Sequence, residues 1–192
     1  MGPQNAANTK VSFTQMSEGT KQDYELIDSR AEPWEDDLAT RLLKELEAAC
    51  DVESPHQISR LGHSLQTATR ALRADADEEM VTVALLHDVG DRLAPSNHSE
   101  FAASVLRPFI SRENYWLVKH HGLFQGYYYF HHHGFDRNAR DRFKTHPNYA
   151  RTAAFCEDWD QASFDPGYAT LPIEHFEPIV KRVLETPRNP FP

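Results

Sequence analysis

Apolar residues along this chain recur at three- and four-residue steps, and no convincing stretch alternates with a period of two. The pattern therefore predicts helices throughout. The first stripe follows Trp34 and comprises Leu38, Leu42, Leu43, Leu46 and Ala49. Ser54-Pro55 then supplies an N-cap with proline in the first helical position. It predicts a helix carrying Ile58, Leu61, Leu65, Ala68 and Leu72 on one stripe, with His56 and His63 on a common side. A helix over 78–87 comes next, and from Met80 to Leu86 every residue but Thr82 is apolar, so this segment reads as buried on most sides. A turn through Gly90 to Asn97 leads to a helix over 97–109, with Phe101, Val105, Leu106 and Phe109 inward. A short helix over 112–121 is predicted to stop at Gly122, glycine being favoured just past a helix end. An aromatic and histidine-rich stretch spans 123–134. Pro147 and Pro172 open the last two helices, over 148–160 and 173–184. The fold class is all-α.

Residues 1–35 are polar with scattered apolar positions and read as an N-terminal strap, which Tyr24, Leu26 and Ile27 would pin down. Residues 36–186 form the helical domain, and 187–192 a proline-rich, extended C-terminal tail. A chain of 192 residues with 40% hydrophobic and 26% charged positions has globular composition and enough length for one substantial core. The formal charge of −9 argues against nucleic acid or an anionic membrane as partner, since either needs a basic footprint. Two cysteines without CxxC spacing, and no signal-like start, point to a reducing cytoplasmic compartment. The expected partner is a small-molecule substrate, and the expected state a monomer or homodimer.

Histidine is the outlier, at 11 residues. The buried run of the 78–87 helix ends in His87-Asp88, and a carboxylate delivered there needs a compensating charge, most commonly a metal ion. His63, His87, Asp88, His98, His121 and Asp160 sit on different predicted helices or helix ends, apart from the His87-Asp88 pair. That is how a helical bundle builds an internal metal site. Imidazole and carboxylate donors without thiolate suit iron, zinc or manganese. Six donors exceed the need of one ion. If both oxygens of Asp88 are used, it bridges two ions, with His63, His87 and Asp160 on one and His98 and His121 on the other. The His131–His133 run reads as solvated loop.

His63, then His87-Asp88 after 24 residues, then Asp160, resembles the H…HD…D signature of the HD-domain superfamily over roughly residues 55–160. The added histidines resemble those of its mixed-valent di-iron oxygenases, the group of myo-inositol oxygenase and the phosphonate-cleaving oxygenases. Asn97-His98-Ser99-Glu100-Phe101 is similar to one of their ligand segments, and Lys119-His120-His121 with Phe124 and Tyr127 to another. Trp159-Asp160 resembles the segment carrying the last carboxylate. The resemblance selects His121 over His120, which helix phase alone does not. It implies an HD-domain helical bundle with a central dinuclear site, holding two Fe ions as a mixed-valent Fe(II)/Fe(III) pair, with O2 as co-substrate.

The implied reaction is oxidation of a C–H next to a heteroatom of a small polar substrate, with oxidative bond cleavage. Asp88 is the expected bridging ligand, and His56, Arg60, Asp91, Phe124 and Gln125 the expected pocket. Departures from the group fall in that pocket. Asp91 and Phe164 stand where the inositol enzyme has lysines, and Glu53 and His56 where the phosphonate enzymes have a tyrosine and a glutamate. These argue against inositol and lend no support to an aminophosphonate. The alternative is metal-dependent phosphohydrolysis, the founding activity of the superfamily, with Arg60, Arg92 and Arg107 as candidate phosphate partners. A non-catalytic metal-binding scaffold is a third reading.

Overall fold

The computed structural model describes residues 10–36, 38–50 and 55–188, and of 31–36 the backbone alone. Every regular element among them is helical, and the contacts divide the chain into a unit ending at Leu38 and a larger one from Ala39 onward.

In the first unit, Lys21–Asp36 form helix α1, within the segment expected to be a strap. Its cause is local. The Thr20 backbone N–H donates to Asp23 Oδ2 at 2.9 Å, and the Asp23 N–H returns to Thr20 Oγ1 at 3.3 Å. Such a reciprocal box satisfies two otherwise orphaned donors. The Thr20 hydroxyl and the Ser12 backbone N–H and hydroxyl also donate to Asp23. Together they hold its carboxyl well below the usual carboxylate range. Tyr24 donates to the Met16 carbonyl at 2.6 Å and stacks on Phe13, so it is engaged within its own unit.

The larger unit comprises α2 (Leu38–Ala48), α3 (Arg60–Arg73), α4 (Glu78–Leu86), α5 (His98–Leu106), α6 (Arg112–Tyr129), α7 (Tyr149–Ala154) and α8 (Ile173–Leu184). Helix α2 buries Ala39, Leu42, Leu43 and Leu46, as its spacing predicts. Helix α4 is central, packing against α3, α6 and α8, and every residue from Met80 to Leu86 is buried. Asp77 caps it, accepting from the Met80 N–H at 2.8 Å. Burying Val81, Val83, Leu85 and Leu86 contributes on the order of 6–12 kcal/mol gross, comparable with the net stability of a whole domain. What α4 carries at its end is therefore held rigidly.

Helix α3 starts later than expected. Ser59 is its N-cap, accepting from the Gly62 N–H at 3.0 Å, and Pro55–Ile58 lie before the helix. Ser54, the expected cap, lies outside the described residues, as does Glu53. His56 consequently does not share a helix with His63. The buried face of α3 is also not the apolar stripe alone. It includes His63, Ser64, Gln66, Thr67 and Thr69. These polar side chains tie down the segment after Asp160. Gln66 donates to the Asp165 carbonyl at 2.6 Å, and Thr69 accepts from the Leu171 N–H at 3.1 Å.

Helix α6 passes through Gly122 rather than ending there, and runs on to Tyr129. A Cβ at Gly122 would lie 2.7 Å from Ser99 Oγ and 3.6 Å from His98 Nε2. This glycine therefore serves the close approach of α5, not a helix end. Helix α7 widens into a π-turn over Phe155–Asp160, a departure frequent at functional sites. It brings Phe155, Cys156 and Asp160 all inward. Of the expected tail, Pro187 and Arg188 are described, and Arg188 pairs with Glu79 at 2.6 Å. No helix among the described residues is long and apolar enough to cross a membrane.

Candidate metal centre

The rigid end of α4 delivers His87, fully buried, and Asp88 follows in a tight turn. Around them converge His63 from the first turn of α3, His98 from the start of α5, His121 from the middle of α6 and Asp160 from the end of the π-turn. All six expected ligand positions are thus brought together.

Asp88 lies between two pairs of imidazoles. Its Oδ2 is 3.3 Å from His87 Nε2 and 3.5 Å from His63 Nε2. Its Oδ1 is 3.0 Å from His121 Nε2 and 3.4 Å from His98 Nε2. Asp160 joins the first group, with Oδ1 3.3 Å from His63 Nε2 and 3.7 Å from His87 Nε2. An ion about 2.1 Å from each of two donors, in tetrahedral or octahedral disposition, separates them by about 3.0–3.4 Å. Four of the six spacings fall in that range, and the His63–Asp88 and His87–Asp160 distances, at 3.5 and 3.7 Å, lie a little beyond it.

The outer ring nitrogens explain why three of these four Nε2 atoms face inward. His63, His87 and His121 donate from Nδ1 to the carbonyls of Ser163, Ala84 and Val118, at 2.9, 2.9 and 2.7 Å. A carbonyl only accepts, so Nδ1 carries the proton, and in the neutral ring Nε2 presents a lone pair to the centre. Such outer hydrogen bonds fix tautomer and orientation for metal ligation. His63 and His87 Nε2 nonetheless stand 3.3 Å apart. Two facing lone pairs at that distance require a positive charge between or beside them.

Electrostatics point the same way. Burial disfavours charge on His87, yet the Asp88 and Asp160 carboxylates outweigh it and hold its pKa well above the ordinary imidazole value. Burial likewise opposes ionisation of Asp88, but His87 and His121 hold its carboxyl well below the usual range. Asp160 is lowered by His63 and His87 against the same opposition. For His98 burial prevails, and its pKa falls despite Asp88. Asp160 Oδ2 is buried with no hydrogen-bond partner, an unmet demand for a donor or cation. Donor set, spacing and this orphaned oxygen all fit a metal. Three overlapping groups, His63–His87–Asp160, His87–Asp88–His121 and Asp88–Asp91–His98, are each close enough to hold an ion. Burial, with Asp160 nearby, pushes the Cys156 thiol well up, so it adds no thiolate; its Sγ lies 3.6 Å from the His121 carbonyl.

Over the cluster opens a cavity of about 620 Å³, within the range of small-molecule sites. His56, Arg60, Asp91 and Gln125 line it, as expected. Phe124 does not. It is fully buried, packed near Trp116 and Tyr149, one position off the inward face of α6. That face is His121, Gln125, Tyr128 and Tyr129, with His133 beyond it, and of these His133 was expected only as solvated loop. Phe164, which stands where the inositol enzyme has a lysine, is there too, stacked on His63 at 4.5 Å and close to His56 at 5.0 Å. Arg60 pairs with Asp91 Oδ2, and Gln125 Nε2 donates to Asp160 Oδ1 at 3.0 Å. His131 and His132 remain exposed.

Among the described residues the fold is all-helical and gathers histidines and aspartates into a buried cluster that could hold metal, beneath a cavity. The model of the HD domain matches residues 60–156, half of the chain and all of the cluster but Asp160. The chain belongs to the HD-domain family, whose members are generally metal-dependent enzymes. No curated protein matches the chain significantly.

Proposed function

We propose that this chain is an O2-dependent di-iron oxygenase acting on a C–H next to a heteroatom of a small polar substrate, with oxidative bond cleavage. The observation that carries the reading is the placement of Asp88, whose two oxygens divide four imidazoles between two positions. His63, His87 and Asp160 would hold one iron, His98 and His121 the other, and Asp88 would join both. Nitrogen and oxygen donors without thiolate suit iron. A mixed-valent iron pair there would supply O2 activation and hydrogen abstraction from carbon.

The chain's own part is placement and shielding. Gln125 holds Asp160 by its Nε2, keeping that carboxylate turned toward His63. Phe164, stacked on the His63 ring, covers the cluster with an apolar face and limits water. Burial, with Asp160 and Asp88 behind it, pushes the Tyr129 hydroxyl up, so it stays a neutral hydrogen-bond donor to a bound substrate. His56 and His133 stand exposed at the cavity wall, placed to orient polar groups.

Phosphohydrolysis gains less support. A phosphate favours cationic partners, and Arg60, the one arginine or lysine lining the cavity among the described residues, is already engaged by Asp91. Arg92 faces Glu45 at 3.5 Å. The test is oxygen consumption by the iron-loaded chain with a panel of small vicinal diols, amino alcohols and hydroxy acids. Substrate-dependent O2 uptake is expected. Phosphate release from phosphomonoesters or nucleotides, with no O2 uptake on any compound, would move the assignment to the hydrolase branch.

A further inference from the structure

Three of the four clustered imidazoles are steadied by a backbone carbonyl alone, at Ser163, Ala84 and Val118. His98 differs. It stands at the first position of α5 and is the most exposed of the four, at 27% of its side chain. Its Nδ1 lies 3.3 Å from Asp91 Oδ1, and the Pro95 carbonyl is the other acceptor beside it. Its Nε2 lies 3.4 Å from Asp88 Oδ1. One ring is therefore clamped between two carboxylates of a single turn.

That turn is built to press against α5. The Asp91 N–H donates to the Asp88 carbonyl at 3.0 Å, which orients the two side chains together. Gly90 between them leaves the space, because a Cβ there would stand 3.0 Å from the His98 carbonyl and 2.7 Å from Phe101 Cδ1. Gly122 opens the other side of the same helix start. Asp91 is also unlike Asp160. Its Oδ2 pairs with Arg60 while its Oδ1 faces His98, so both oxygens are engaged, whereas Asp160 keeps a buried oxygen without a partner.

We propose that Asp91 is a positioning residue for the second metal position, holding His98 by its Nδ1 side so that Nε2 faces the site beside Asp88 Oδ1. It acts through His98, since its Oδ1 faces the Nδ1 side of that ring and not the Nε2 that faces Asp88. The inference rests on the dinuclear reading above. Removing an outer partner of a ligating histidine typically weakens metal binding by about 10–100-fold, and here the loss falls on one ion of the two.

The experiment is anaerobic Fe(II) titration of the full chain by calorimetry, with iron analysis after desalting, on wild type, Asp91→Ala and the near-isosteric Asp91→Asn. Wild type is expected to take two ions. Both variants are expected to keep the first-ion affinity within about threefold while the second falls by about 10–100-fold, more for alanine than for asparagine. Retained first-ion binding serves as the check on folding that a merely structural role would not satisfy. Equal loss of both ions, or a second ion bound as tightly as in wild type, overturns the proposal. A wild-type chain that takes a single ion overturns the dinuclear reading itself, and the proposal with it.

Discussion

Gly90 is the tightest point between the turn that carries Asp88 and the helix that carries His98. An alanine there would place its Cβ 2.7 Å from Phe101 Cδ1 and 3.0 Å from both Phe101 Cβ and the His98 carbonyl. A backbone oxygen and a ring base cannot swing aside like the tip of a long side chain, so α5 must shift by a few tenths of an ångström. Forcing extra volume into a packed site costs about 1–3 kcal/mol, while alanine recovers about 0.4–1 kcal/mol by restricting the unfolded chain. The backbone conformation adds no further penalty, since Gly134 is the glycine with positive φ among the described residues. The crowding term is the larger, and Gly90→Ala is expected to lose about 1–2 kcal/mol, or about 2–8 °C in Tm for a domain of this size. Thermal melts in chelator would measure that loss without metal. Fe(II) titration would then show the second ion weakened more than the first, because His98 moves with α5. An alanine variant that melts at or above wild type and binds both ions normally would refute the packing argument.

Other perturbations separate the parts of the site. Asp88→Ala removes the one side chain near all four imidazoles and is expected to abolish binding of both ions with the helical fold retained by circular dichroism. Two ions bound at wild-type affinity would contradict it. Ser59→Ala removes the cap of α3 and should cost about 1 kcal/mol, read in denaturant unfolding. In the metal-free chain, the lowered Asp88 and Asp160 contribute stability that is present above the ordinary carboxylate pKa and lost as pH falls through their folded values. The raised His87 contributes stability that is present below the ordinary imidazole pKa and lost as pH rises through its folded value. Melts in chelator should therefore peak at roughly pH 4–6.5, and a steady rise into the alkaline range would contradict this. Metal must displace the His87 proton, so its affinity should rise with pH and binding should release protons.

The central helix and the clustering of the six candidate ligand positions were legible because their signals are strong and local. An apolar run from Met80 to Leu86 ending in His-Asp has few structural solutions, and the histidine spacings matched a known signature. The cavity was less legible, for reasons that lie in particular residues. Gly122 carries the same letter whether it ends a helix or admits a neighbouring one, and only the position of Ser99 decides between them. Reading it as an end loses the helical phase beyond it, which turns Gln125, Tyr128 and Tyr129 to the cavity and Phe124 into the core. Ser54 and Ser59 are equally good caps by residue type, and the choice moved His56 off the ligand helix. The buried Gln66 and Thr69 read as surface in a hydrophobic pattern, although they anchor the segment bearing Phe164. Helix α1 was missed because its stability comes from the box between Thr20 and Asp23, not from an apolar stripe.

The most direct measurement is the metal content of aerobically purified protein, followed by EPR after partial reduction. Two irons per chain with a coupled mixed-valent signal is the expected result, since Asp88 places both positions on one carboxylate. Zinc, manganese or a single ion, with iron reconstitution failing to produce that signal, would contradict the di-iron assignment and direct attention to phosphate ester hydrolysis.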